Sequence, residues 1–246
     1  MQISTQQNLN KNYKPQFKGI PYAYVKMKNI KNNSGILIYE LEKSDIPFLD
    51  KLTKNLKLHK LAPEVTDKAQ LETWKELILK AITTLGFKNT KVFLAVNTSN
   101  NKPCGILSEL TYYDSSIQEL TKNINYFATW PDSPNHNVKG SGKSLIRTIL
   151  DRAEKEGMGT TLKTCPTAPK GKRACEEFYE DLGFIHTSSE NNKLQISKEN
   201  ITQIIIEKLF PILDFEKITD GKSIDLSSTL NINYTPNLLK RLFGIK

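Results

Sequence analysis

The strongest periodicity lies in the first half of the chain. Leu71, Trp74, Ile78, Ala81, Ile82 and Leu85 recur at spacings of three and four, which puts them on one face of a helix. Asp67 stands where it would cap that helix, and Gly86 where a left-handed residue would end it. Upstream, 35–41 reads as a strand, then Ser44 caps a helix whose inward face is Ile46, Leu49, Leu52 and Leu56. Two apolar runs, 92–96 and 105–112, flank a polar turn and predict a hairpin; a third strand runs over 124–130. A helix over 142–156 turns Leu145, Ile146, Ile149, Leu150 and Ala153 inward and stops at Gly157. A strand from Thr160 to Cys165 follows, then a helix from Arg173 to Leu182 ended by Gly183. The segments 184–187 and 194–197 form a closing hairpin.

This order predicts an α/β (α+β) fold, a mixed sheet with helices packed against it. The periodic part spans 34–197. Residues 1–33 are polar and are assigned to an N-terminal extension, although Phe17, Ile20, Tyr22, Tyr24 and Val25 offer apolar positions for a short strand. Residues 198–246 form a C-terminal extension. There Ile201, Ile204, Ile205 and Leu209 suit a helix, while the β-branched run from Ile204 to Ile206 suits a strand; periodicity does not decide between them.

Composition narrows the class. No stretch approaches the ~20 apolar residues a spanning helix needs, and the first thirty residues lack the apolar block of a secretory signal. Cys104, Cys165 and Cys175 make no disulfide framework, and with His59, His136 and His186 widely spaced there is no zinc signature. The expectation is a reduced cytoplasmic protein without a metal or a membrane partner. The net charge of +9 favours an anionic partner, but the lysines are dispersed and form no block, as on a solvated surface. A local basic cluster lies at 139–147, with Lys139, Lys143 and Arg147.

That cluster surrounds a glycine turn, from Asn137 through Gly140 and Gly142 to Ser144, between a strand and a helix. Glycines let backbone approach a ligand closely, and unpaired N–H groups at a helix start attract phosphate oxygens. Gly142-Lys143-Ser144 would also end a P-loop, but Asn137 stands where that motif opens with glycine, which counts against a P-loop nucleotidase.

Taken with Phe178-Tyr179 and Gly183-Phe184 further on, the turn resembles that of the GNAT superfamily of N-acetyltransferases. Its acetyl-CoA motif, [Gln/Arg]-x-x-Gly-x-[Gly/Ala], is matched by Asn137, Gly140 and Gly142; its Phe-Tyr-x-x-x-Gly-Phe is matched at 178–184. Asn137 departs from the usual Gln or Arg, and Lys172 stands where an Asn often touches the pantetheine arm. The resemblance covers roughly 34–197 and implies a GNAT-like acyl-CoA N-acyltransferase fold, with a mostly antiparallel twisted sheet flanked by helices.

It also implies roles. Acetyl-CoA is the expected donor, its diphosphate held by backbone N–H groups from Val138 through Lys139, Gly140, Ser141, Gly142 and Lys143 to Ser144. Its pantetheine would run between Ala128, Thr129 and Trp130 on one strand and Lys163 and Thr164 on the next, with Lys172 nearby. Tyr179 would give a proton to the departing thiolate. The residues themselves suggest three bases for the acceptor amine, Glu109, Glu119 and Asp132, beside direct proton loss to water. Glu109 leads because alternation with Leu107 and Thr111 sets it on a defined sheet face.

The bland readings are also specific. Trp74 and Trp130 read as core or sheet-face residues, Trp130 alternatively as a wall of the acceptor pocket. His136 reads as a solvated loop residue, and Cys165 and Cys175 have no histidine partner that would make them nucleophiles. The expected activity is acetyl transfer to a primary amine by direct attack in a ternary complex, with self-association compatible. The alternative is a non-catalytic CoA-binding module, or an RNA-directed, toxin-like one acting on aminoacyl-tRNA.

Overall fold

The computed structural model describes residues 19–28, 35–54, 68–99, 102–129, 139–164, 172–187 and 192–218. Nine strands form one sheet: β1 Ile20–Met27, β2 Ile36–Glu40, β3 Thr90–Asn97, β4 Lys102–Asp114, β5 Glu119–Thr129, β6 Gly159–Lys163, β7 Ile185–His186, β8 Lys193–Ile196 and β9 Leu213–Lys217. Their order across the sheet is β7-β8-β6-β5-β4-β3-β2-β1-β9. All neighbours run antiparallel except β5 and β6, which are parallel and joined by a helical crossover. The sheet is therefore mixed and mostly antiparallel, as expected.

The helices are α1 Ile46–Lys54, α2 Lys68–Thr83, α3 Ser141–Glu156, α4 Lys172–Asp181 and α5 Ile201–Ile204, the last continuing as a wide π-helical turn, Ile205–Leu209. They sort onto two faces. Leu49, Trp74, Ile78 and Ile82 from α1 and α2 pack with Val92, Leu94 and Ile106. Leu145, Ile149 and Ala153 of α3 pack on the other face with Tyr179, Leu182, Ile201 and Leu209. These are periodic positions read from the sequence; Leu56, read with them, lies outside the described residues.

The structure changes two expectations and decides one open choice. The border between extension and domain moves outward at both ends: β1, from the supposed tail, lies between β2 and β9, and β9 comes from the supposed C-terminal extension. These two strands become legible only through pairing over nearly the whole chain. The ambiguous isoleucines at 204–206 are helical, with Ile204 packed against Gly183. Ser44 does not cap α1; Glu42 and Asp45 do so reciprocally around a short 3₁₀ turn, Asp45 accepting the Glu42 N–H at 2.9 Å.

Gly86 is also not the left-handed residue after α2. The helix tightens into a 3₁₀ turn, Thr84–Gly86, and Asn89 takes the positive φ of 60°. Gly157 and Gly183 do end their helices with φ of 65° and 91°. Among the described residues, no helix is long and apolar enough to cross a membrane. Asp67, Trp130, Asp132, His136, Asn137, Val138 and Cys165 lie outside the described residues.

Candidate functional site: the opening between β5 and β6

On one flank, β5 pairs with β4 from Asp114↔Glu119 to Gly105↔Thr129. The register shifts once, between Ser108↔Tyr126 and Glu109↔Ile124, which leaves Asn125 as an extra, bulged residue on β5. On the other flank the parallel pairing with β6 runs only from Thr121↔Gly159 to Ile124↔Leu162. Beyond it, 125–129 has a ladder partner only on the β4 side among the described residues. The end of β6 leans the other way, with the Thr164 N–H donating to the Asn192 carbonyl at 2.9 Å. A wedge therefore opens at the carboxyl ends of two parallel strands, where open sheets take ligands.

The start of α3 lies at this wedge. Gly140 has φ of 93°, which favours glycine, and a Cβ there would come within 2.3 Å of Met27 Sδ, so the Met27 side chain would have to move aside. A Cβ on Gly142 would sit 3.1 Å from Phe127 Cζ and 3.6 Å from Thr129 Cγ2, so α3 packs directly against the free part of β5, and real side chains there must yield slightly. The Ser144 N–H and Oγ each donate to the Gly140 carbonyl at 2.8 Å, which starts the helical ladder. The N–H groups of Ser141, Gly142 and Lys143 precede that first bond, and among the described residues no N-cap side chain bonds to them. Lys139 is exposed and Lys143 half-buried at the same end. Arg147 turns away: its guanidinium lies 4.6 Å from the Phe215 ring centre and 3.8 Å from Asp151, and burial lowers its pKa.

Tyr179 reaches this region from α4. Its ring meets Phe127, Phe178 and Phe184 at centroid distances of 6.2, 5.2 and 5.6 Å. It is 5% exposed, and its hydroxyl has no hydrogen-bond partner among the described residues. Burial, with a smaller push from the nearby Cys175, raises its pKa well above the ordinary phenol value. The phenol therefore stays protonated at neutral pH and can act as a donor. The Thr164 hydroxyl, 3.4 Å from Glu176 Oε1, lies at the β6 end, and Ala128 turns to the opposite face of the sheet. Lys172 opens α4.

Glu109 sits in a different setting. It is 1% exposed, and its carboxylate accepts from Lys122 Nζ at 3.0 Å and from Arg152 Nε at 3.0 Å. Glu119 is ion-paired with Lys198 at the surface, and Trp74 is core on α2. Among the described residues no cluster of metal-binding side chains occurs.

Sequence reasoning missed Phe127, Met27 and Lys122. Phe127 carries a signal only after the bulge is known, since Asn125 reverses which positions of β5 face α3. Met27 and Lys122 matter through strand neighbours that lie far away in the chain.

No protein-family model matches the sequence, and no curated protein matches it. Solved structures do overlap with it. One described as AtaTR bound with AcCoA has 13% identity and a TM-score of 0.49, over 69% of this chain and 98% of that one. Another, apo FdhC, a nucleotide-linked sugar GNAT, has 13% identity and a TM-score of 0.47, over 78% and 96%. An aminoglycoside acetyltransferase from an uncultured soil metagenomic sample has 19% identity and a TM-score of 0.36, over 59% and 85%. The distinguishing features of this chain are its strand order, the β5–β6 wedge and the glycine turn beside it. The chain has a mixed, mostly antiparallel sheet flanked by helices, with a parallel β5–β6 pair that parts beside a glycine turn.

Proposed function

We propose that this protein is an acetyl-CoA-dependent N-acetyltransferase whose donor site is the β5–β6 wedge. The observation that carries the reading is the coincidence of two unsatisfied edges: the free ladder side of 125–129 and the uncapped first turn of α3. A diphosphate fits the second, because the N–H groups of Ser141, Gly142 and Lys143 precede the first helical bond and the N-cap, Gly140, has no side chain to satisfy them. An amide-bearing arm fits the first, since it would complete the β5 ladder as an added strand. Both are features of coenzyme A, which would supply an activated acyl thioester.

In this proposal the N–H groups of the α3 turn hold the diphosphate, Lys139 and Lys143 add positive field, and Thr129 and Thr164 border the arm. Val138, Trp130 and Lys172 belong to the proposed set by the motif alone. Backbone N–H groups of β5 past the bulge polarise the thioester carbonyl. A neutral primary amine attacks that carbonyl, the carbon–sulfur bond breaks, the Tyr179 hydroxyl gives its proton to the leaving sulfur, and the proton shed by the attacking nitrogen restores the phenol through water. An amine of pKa about 10.4 must first lose its own proton, which in this reading goes to water.

Calorimetry with CoA, followed by thiol release from acetyl-CoA with a panel of amines, tests this. The expected result is binding, and thermal stabilisation of about 2.7 kcal/mol at CoA a hundredfold above its Kd, with thiol release that depends on the amine. CoA binding without turnover, or RNA binding with a steep salt dependence, would replace the enzyme by a binding module.

A further inference from the structure

Lys122 and Glu109 are buried charges outside the chemistry proposed above. The Lys122 side chain is 0% exposed, and its ammonium donates to Glu109 Oε1 at 3.0 Å, Glu156 Oε2 at 2.9 Å and Thr111 Oγ1 at 3.4 Å. Arg152 closes the cluster, with Nε 3.0 Å from Glu109 Oε2 and Nη2 3.2 Å from Glu156 Oε1. Two cations and two carboxylates thus bind β4, β5 and α3 together. Burial works to raise the Glu156 pKa, but the Lys122 hydrogen bond and the charges of Lys122, Arg152 and Lys91 outweigh it and hold the carboxyl below its ordinary value.

The placement of this cluster is informative. Lys122 faces Thr111 across the ladder and reaches diagonally to Glu109, the last β4 residue before the register shift. The bulge at Asn125 begins one residue beyond Ile124, the partner of Glu109, and the pairing of β5 with β6 also ends at Ile124. A one-residue slip of β5 against β4 would send the Lys122 ammonium to the opposite face, beside Tyr112 and Thr161. The slipped register would part that ammonium from Glu156 and strip Glu109 of one cation. Buried ion clusters often add little stability over apolar residues of the same size, and fixing register is their best-attested use.

We infer that Glu109 and Lys122 are positioning residues: they lock the β4–β5 register, confine the extra residue to Asn125, and so set where the donor wedge opens. Arg152 and Glu156 extend the lock to α3, whose first turn is the wedge's other wall. Glu109 is then an anchor for the donor site and not the base for the acceptor amine. This inference rests on the acetyltransferase reading for its kinetic consequence, and on the fold alone for its structural one.

The test uses the full chain carrying Glu109→Leu and Lys122→Met together. This removes one charge of each sign and leaves Arg152 paired with Glu156, so no buried ion is orphaned as it would be in either single variant. The double variant is expected to fold, with a Tm close to that of the parent. Amide exchange over 124–129 rises about tenfold, and KM for acetyl-CoA rises about tenfold while kcat changes less than about threefold. A folded double variant with parental exchange and parental KM would overturn the lock. So would an unchanged KM with kcat collapsed and the acid limb of the pH profile gone, the signature of a lost base. If the parent itself binds no CoA, the acetyltransferase reading falls, and exchange over 124–129 alone decides the lock.

Discussion

Along its β4 flank, β5 is paired to its last residue; along its β6 flank the pairing stops after Ile124. The closed seam carries charges, and those charges are satisfied within it: Glu109, Lys122, Arg152 and Glu156 bind one another. The open seam carries glycine, aromatic rings and a phenol, with backbone donors to which, among the described residues, no N-cap side chain bonds. Buried polar groups in folded proteins are normally paired. In the proposed reading, the free ladder side of β5 and the first-turn N–H groups of α3 take their partners from coenzyme A. The proposed reading thus gives register to one side of a single strand and ligand recognition to the other.

The largest effect at the open seam comes from Gly140. In Gly140→Val a β-branched side chain would have to hold φ of 93° with its Cβ 2.3 Å from Met27 Sδ. The turn must rearrange, at a cost of about 1–3 kcal/mol in backbone strain alone. CoA binding should disappear by calorimetry while the closed seam, and with it the folded state, survives. Retained affinity would show that the diphosphate is held elsewhere and would erase the contrast between the seams.

Tyr179→Phe is a milder break. The lost hydroxyl has no hydrogen-bond partner among the described residues, so stability should change by less than about 1 kcal/mol. CoA affinity should hold, and turnover should fall about a hundredfold, the lower range for a positioned acid. Because burial raises its pKa, Tyr179 stays protonated from pH 6 to 9. The loss should then be uniform across that range. A variant that turns over at the parental rate would leave Tyr179 as core alone.

How much of this the sequence disclosed depends on the range of the interactions. Helix faces are local patterns, so Trp74 and Ile78 on one side and Leu145 and Ile149 on the other were legible. The glycine turn was legible for the same reason: Gly140 and Gly142 are punctuation within a few residues. Membership of β1 and β9 in the sheet was not, because each needs the other as a neighbour from almost the far end of the chain, as Ala23↔Lys217 shows. Glu109 exposes the same limit. Alternation placed it on the correct face, but its partners Lys122 and Arg152 arrive from another strand and a helix, and they change the carboxylate from a candidate base to an anchor. Ile204 was ambiguous because β-branching and helical spacing conflict there, and only packing on Gly183 resolves it.

The least effect at the open seam should come from the far end of the closed one. Asp114 precedes the β4–β5 turn and accepts from Lys193 Nζ at 2.6 Å, Tyr112 Oη at 2.9 Å, Ser116 N–H at 3.0 Å and Ser116 Oγ at 2.6 Å. Burial alone would raise its pKa, but the Lys193 bond, the two Ser116 bonds and the Tyr112 bond together hold it far below the ordinary 3.8. A carboxyl with a depressed folded pKa stabilises the fold fully above its unfolded value. That contribution drains away as pH falls through the folded value. Asp114→Asn should therefore cost about 1–3 kcal/mol at pH 7, measured by urea unfolding, and the gap to the parent should narrow as the pH drops below 3.8. At pH 7 the CoA affinity of the variant should match that of the parent, because the hairpin turn lies at the opposite end of β5 from Thr129. A loss of affinity as large as that of Gly140→Val would mean that the two seams act as one unit, and that the opening is held by the whole length of β5 rather than by the lock beside its bulge.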